Sequence, residues 1–320
     1  MNNLIKQLEA RLAAAGSGNA KRAVEELAAN VLGCKPLEIY FKTITPEQQA
    51  ELEKLIVRAE QGEPIQYIIG HVDFRGLEIH CDRRALIPRP ETEQLVQAVL
   101  ENVDATPSSR SNKGKRDEGV ASTLKIADIG TGTGCIALSL LHELPNAEVI
   151  GVDISPDALV LARENAERLG LSDRFQTLES DLLGAFMVDA ASCRVMQRQD
   201  AAATMGERFD IIVSNPPYIV SKVCKNLDRS VRDFEPKLAL DGGEDGLDLI
   251  RPLVEQAARA LKPGGGLFLE IGYDQGEAVA NCLRAACPQQ RATRENAGFQ
   301  NVRIIKDIAG LDRIVTGFRP

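Results

Sequence analysis

The stretch Leu124-Lys125-Ile126-Ala127-Asp128-Ile129-Gly130-Thr131-Gly132-Thr133-Gly134 decides the fold. Leu124 to Ile129 reads as a strand, and Cys135 to Leu141 reads as the start of a helix. Glycines between them let the backbone approach a ligand closely. Position 135 is Cys, where a dinucleotide fingerprint requires Gly, so the loop is a poor pyrophosphate cradle. Taken alone it is compatible with either a cofactor loop or a plain tight turn.

Working outward, Ala147 to Val152 is a second strand ending in Asp153, about 20 residues beyond the glycines, where a carboxylate can accept ribose hydroxyls. Ser155 and Pro156 are N-cap and N1 of a helix whose apolar face is Leu159, Ala162, Ala166 and Leu169, closed by Gly170. A strand over Arg174–Leu178 leads to Ser180-Asp181-Leu182, and a strand over Phe209–Val213 leads to Ser214-Asn215-Pro216-Pro217-Tyr218. By itself Asp181 reads as a turn residue. In series, the glycine loop, Asp153, Asp181 and Asn215 all fall at strand ends on one edge. In parallel α/β sheets that edge binds ligands.

The Asn-Pro-Pro-Tyr stretch is the most pointed chemically. Two prolines fix φ near −65° and remove two N–H donors. The Asn215 side-chain oxygen and the carbonyls of Asn215 and Pro216 remain as acceptors beside the Tyr218 ring. Such a cluster suits a planar group bearing –NH2, an amide or a nucleobase; the plainer alternative is a strand ending in a Pro-rich turn.

These motifs resemble a class I S-adenosylmethionine-dependent methyltransferase acting on a planar nitrogen. Further stretches narrow the resemblance: Gly62-Glu63-Pro64-Ile65-Gln66-Tyr67-Ile68, Leu86-Ile87-Pro88-Arg89-Pro90-Glu91-Thr92-Glu93, Phe234-Glu235-Pro236 with Gly242-Gly243 and Asp245-Gly246-Leu247-Asp248, and Leu269-Glu270-Ile271-Gly272. Together they are similar to the peptide chain release factor N5-glutamine methyltransferases, from about Lys21 to the C-terminus. The resemblance implies an α/β fold, with a Rossmann-like seven-stranded sheet behind a small N-terminal helical bundle that helps dock the release factor. It implies methyl transfer from S-adenosylmethionine to the glutamine of a Gly-Gly-Gln motif in class I release factors.

On that resemblance, Gly130, Thr131, Gly132, Thr133 and Gly134 approach the methionine and ribose parts of the cofactor. Asp153 holds the ribose hydroxyls, Asp181 and Leu182 the adenine. Asn215 and the Pro216 carbonyl accept the two amide hydrogens of the substrate beside Pro217, with Tyr218 packed on the amide plane. The Ile87–Glu93 segment lines the methionine side, and Arg89 is an ion-pair partner or a substrate contact.

The 320-residue chain, 44% hydrophobic, is long enough for two domains. A net charge of −8 argues against a broad phosphate-binding face. Seven cysteines without a C-x-x-C pair fit reduced thiols in the cytoplasm, and three dispersed histidines give no metal-site spacing. No apolar run reaches membrane-spanning length, the start lacks a signal-peptide pattern, and no P-loop or Gly-x-Ser-x-Gly elbow is present.

Residues 1–75 read as helices, with Thr45-Pro46-Glu47-Gln48 as a capping box, and residues 76–89 as a linker whose alternating Leu77–Ile87 stretch forms a hairpin turning near Asp82-Arg83-Arg84. Residues 90–320 form the methyltransferase domain, with insertions at 104–123 and 184–207, the second a plain loop or a lid. Lys262-Pro263-Gly264-Gly265-Gly266 reads as the end of a helix, and Val302–Lys306 with Arg313–Phe318 as an antiparallel pair closing the sheet. A monomer is expected, with no direct nucleic-acid contact. Two other classes stay open: a nucleic-acid N-methyltransferase acting on an exocyclic base amine, and a non-catalytic cofactor-binding subunit.

Overall fold

The computed structural model describes residues 1–106, 123–187, 208–286 and 298–320. The N-terminal part is helical: Asn2–Ala14, Ala20–Leu32, Pro46–Glu60 and the short Ile65–Ile69. Each begins or ends where local chemistry dictates. The Thr45 hydroxyl accepts from the Gln48 N–H while the Gln48 side chain accepts from the Thr45 N–H, and Gly33 closes the second helix in the left-handed conformation. Leu8, Leu12, Val24, Leu27, Leu52 and Ile56 bury one another in a core of their own.

A hairpin follows, β1 (His71–Phe74) and β2 (Leu77–His80), paired His71 to His80 and Phe74 to Leu77. This corrects the expected hairpin over Leu77–Ile87. The turn is Arg75-Gly76, with φ of 52° and 76°, and Asp82-Arg83-Arg84 lies beyond the hairpin. The alternation of residues 77–87 continues past the strand because Cys81, Ala85 and Ile87 stay buried in an extended segment crossing to the sheet.

The sheet comprises β3 (Leu124–Ile129), β4 (Ala147–Asp153), β5 (Phe175–Glu179), β6 (Phe209–Ser214), β7 (Leu261–Glu270), β8 (Gln300–Lys306) and β9 (Asp312–Phe318). Its order is β5-β4-β3-β6-β7-β9-β8. The first five strands are parallel; β9 inserts antiparallel between β7 and β8. Helices Thr92–Asn102, Cys135–Glu143 and Pro156–Arg168 cover one face, and Ile250–Ala260 and Gly276–Ala285 the other. This is the three-layer α/β class that the strand-end motifs imply. Chain direction across the sheet reverses between β3 and β6, whose ends pair Ile129 with Ser214. The glycine loop and Asn215 therefore emerge side by side at the switch point, where open α/β sheets bind ligands.

One expectation shifts. β7 begins at Leu261 and takes in Lys262–Gly266, its register broken opposite Phe209 and Ile211, because Gly265 and Gly266 lie where a Cβ would meet the Asp210 carbonyl and the Phe268 ring. At the start of the expected insertion at 184–207, Gly184–Phe186 is a 3-10 turn, and Phe186 is buried edge-on against Phe209 with ring centroids 5.1 Å apart. Residues 188–207 of that insertion, and 107–122 of the expected insertion at 104–123, lie outside the described residues. Among the described residues no helix is long and apolar enough to cross a membrane.

Candidate active site

The glycine loop leaves β3 with Gly130, Gly132 and Gly134 at φ of 70°, 54° and 81°, backbone that other residues adopt only under strain. Two carboxylates hold it. Asp128, fully buried, accepts from the Thr131 hydroxyl at 2.7 Å and from the Ala137 N–H at 3.3 Å. Asp153 accepts from the Gly132 N–H at 3.0 Å and, through its other oxygen, from the Ser155 N–H at 2.9 Å. Burial raises the Asp153 pKa, opposed by these backbone bonds. Backbone N–H groups thus engage both Asp153 oxygens, and the carboxylate keeps acceptor capacity for a ligand.

Beside the loop, the Ser214 hydroxyl donates to the Ile129 carbonyl at 2.6 Å, fastening β6 to β3 just before Asn215. The Asn215 Nδ2 donates to the Thr92 hydroxyl at 3.1 Å. Among the described residues no group donates to Asn215 Oδ1 or to the Pro216 carbonyl. Behind this stretch runs the Gly242–Gly246 loop: the Gly242 N–H donates to the Ile219 carbonyl, and the Gln275 Nε2 donates to the Tyr218 carbonyl. A Cβ on Gly242 would lie 2.8 Å from Pro217 and Tyr218 backbone atoms, so only glycine lets this loop back the Asn-Pro-Pro-Tyr turn.

The third wall is the extended segment after the hairpin. The Tyr67 hydroxyl donates to the Ala85 carbonyl at 2.6 Å, tying the helical part to it. Glu235, buried, accepts from the Ile87 N–H at 3.1 Å and forms an ion pair with Arg89 at 2.5 Å. Arg89 is therefore an ion-pair partner that also lines the cavity. The three walls enclose about 250 Å³. The lining includes the Asp153 carboxylate and apolar Ile154 and Leu238, both largely exposed. The lining suits a ligand with hydroxyls for the carboxylate and a flat, weakly polar ring for the apolar side chains.

The chain matches the PrmC N-terminal domain family over residues 3–70 and a methyltransferase domain family over residues 121–300. It is 38% identical to the release factor glutamine methyltransferase of Moorella thermoacetica, over 97% of this chain and 95% of the relative. The corresponding protein of Koribacter versatilis is 35% identical over 100% and 97% of the two chains, and that of Agrobacterium fabrum 36% identical over 96% and 93%. The chain belongs to the release factor glutamine methyltransferase family.

In this family member, Gly130, Thr131, Gly132, Thr133, Asp153, Asp181, Leu182, Asn215 and Pro217 all line the one cavity. Gly134, Pro216 and Tyr218 do not line it. A Cβ on Gly134 would meet Leu138 and Ala162 at 3.2 and 3.3 Å, so this glycine seats the helix after the loop against helix Pro156–Arg168 rather than facing a ligand. Pro216 is buried. The Tyr218 ring packs on the sheet core, its hydroxyl 3.5 Å from Glu270 Oε1, so it braces the turn from behind instead of covering the cavity. Thr92, Ile154, Leu238 and Glu270 escaped the reading of the sequence. Thr92 and Glu270 sit inside recognised motifs, but no local signal says that they converge on Asn215.

Two carboxyls here set a pH dependence of stability. Burial pushes Asp128 up to about 7 against bonds from Thr131 and Ala137, and burial pushes Glu270 up to about 7 against the Thr92 hydroxyl and Arg313. Both are protonated more readily folded than unfolded. Their contribution is therefore most favourable below the unfolded values near 4, declines as pH rises, and levels off above 7. Carboxyls held low by cations, such as Glu63 and Asp82, titrate below this window. Urea unfolding should show stability falling between pH 5 and 7 by roughly 1 kcal/mol per unit or more. Asp128→Asn and Glu270→Gln should each flatten the slope; a rise in stability across the window would contradict the assignment.

Proposed function

We propose that the protein transfers the methyl group of S-adenosylmethionine to the side-chain amide nitrogen of the glutamine in the Gly-Gly-Gln motif of class I peptide chain release factors. The observation that carries this reading is the acceptor Asn215 Oδ1, without a donor among the described residues, on the lining of the cavity that also carries Asp153, with the Pro216 carbonyl likewise without a donor one residue on. Two acceptors held in a proline-stiffened turn match the two N–H bonds of a primary amide. The names of the curated relatives point to the same substrate.

S-adenosylmethionine supplies an electrophilic methyl group on a sulfonium. The residues suited to hold it are Gly130–Thr133 along the methionine and ribose, Asp153 at the ribose hydroxyls, and Ile154, Asp181 and Leu182 around the base. The remaining work belongs to the amide. Its nitrogen lone pair is delocalised into the carbonyl, and its protons are not removable near neutral pH. Asn215 Oδ1 and the Pro216 carbonyl therefore orient the nitrogen and polarise its N–H bonds rather than deprotonate it first. Alignment of this kind is worth up to roughly 7–11 kcal/mol. The proton leaves after, or late in, methyl transfer, to water. The protein acts as a monomer in this reading, and its net charge of −8 suits a protein substrate met in the cytoplasm better than nucleic acid.

The test is transfer of labelled methyl from S-adenosylmethionine to a class I release factor, to the same factor with the Gly-Gly-Gln glutamine replaced, and to bulk RNA and DNA. Label on the intact factor alone is expected. Label confined to nucleic acid would replace this reading with base methylation, and no label anywhere would favour a non-catalytic subunit.

A further inference from the structure

An asparagine amide is nearly symmetrical in shape, so something must decide which end faces the substrate. Asn215 presents its oxygen to the cavity only while its Nδ2 has an acceptor behind it, and that acceptor is the Thr92 hydroxyl, 3.1 Å away and buried. A hydroxyl has a single proton. If Thr92 donated that proton to Asn215, the amide would turn, and its –NH2 would meet the –NH2 of the substrate, donor against donor.

Glu270 stands where this choice is made. It ends β7, its carboxyl is buried, and its Oε2 has no well-formed hydrogen bond. The Thr92 hydroxyl lies near enough to favour its charged form, as does Arg313. Its Oε1 faces the Tyr218 hydroxyl at 3.5 Å. Among the described residues, then, Glu270 has one buried oxygen without a hydrogen bond, and the Thr92 hydroxyl, whose proton must be drawn away from Asn215, is one of the groups that act on its carboxyl.

We propose that Glu270 and Thr92 are positioning residues: Glu270, in its ionised form, accepts the hydrogen bond of the Thr92 hydroxyl, which leaves Thr92 able only to accept from Asn215 Nδ2 and so keeps Asn215 Oδ1 aimed at the substrate amine. The direction of this hydrogen-bond chain, and not a contact with substrate, is what Glu270 supplies. The proposal rests on Asn215 acting as an acceptor toward a planar amine, as in the function proposed above.

The test uses the full-length protein and Thr92→Val, Thr92→Ser, Glu270→Leu and the Thr92→Val/Glu270→Leu double variant. Turnover is measured on whichever planar amine acceptor the labelling assay identifies. Failure to label release factor would then count against the function, while this test would still stand. Thr92→Val and Glu270→Leu should each lower kcat about 10- to 100-fold, the scale of one misdirected buried hydrogen bond. S-adenosylmethionine affinity should stay near that of the parent protein, and each variant should unfold in one cooperative transition well above the assay temperature. Thr92→Ser should restore most of the rate, since it keeps the hydroxyl. The double variant should be no slower than the worse single variant, because both break one chain. Glu270→Leu at near-parental kcat, losses that multiply in the double variant, or a loss confined to cofactor affinity would each overturn the proposal.

Discussion

Asn215→Ala should lose about 10²–10³-fold or more in kcat, the scale seen when one preorganised polar group is removed from a reacting centre. Affinity for S-adenosylmethionine should barely change. The side chain does not hold the glycine loop; that is done by Asp128 and Asp153 from other strands. What disappears is one of the two acceptors that orient the amide, together with the donor that engages Thr92. A residue acting only at the reacting nitrogen lowers kcat and kcat/KM together. Asp153→Ala should do the reverse, weakening cofactor binding in calorimetry because the Gly132 and Ser155 N–H groups lose their acceptor and the ribose its partner. Near-parental turnover by Asn215→Ala would remove it from the mechanism.

Gly246→Ala should be strongly damaging although Gly246 does not line the cavity. At φ 79° a Cβ is strained by about 1–2 kcal/mol wherever it stands. Here it would also lie 2.4 Å from both the Tyr218 carbonyl and Gln275 Nε2, which are bonded to each other. Relief requires the loop to lift from the Asn-Pro-Pro-Tyr turn. A stability loss of about 3 kcal/mol or more is expected in urea unfolding, with turnover falling too. Gly310 separates strain from collision: its φ is also 79°, yet nothing lies within 4 Å of its would-be Cβ. Gly310→Ala should cost only the strain and leave turnover intact. Equal losses at the two positions would show that the contact with Tyr218 is unimportant.

Much of the site was legible because its parts are local. A strand that ends in Gly130, Asp153, Asp181 or Asn215 announces its own terminus, and parallel strands bring those termini to one edge. The hairpin was misplaced because its two-residue turn carries Arg75 in a conformation usually taken by Asn, Asp or Gly, so no turn signal preceded Gly76. The part played by Gly134 was hidden for a different reason. Glycine answers equally to a ligand and to a neighbouring helix, and only the positions of Leu138 and Ala162 decide between them. Thr92 and Asn215, 123 positions apart, meet through packing of helix Thr92–Asn102 on the sheet, and Glu270 joins them from β7; no periodicity encodes such a meeting.

The strand order also has a consequence for how this chain is made. β9 is synthesised after β8 yet lies between β8 and β7, and among the described residues β8 pairs with no other strand. While the ribosome moves from Glu270 to Phe318, the outer edge of β7 therefore waits without its neighbour, for roughly 2–10 s at ordinary elongation rates. An open apolar edge is where nascent chains pair wrongly. Nascent chains stalled before residue 312 should be the aggregation-prone and chaperone-bound ones, and release past residue 318 should let the sheet close in a single step.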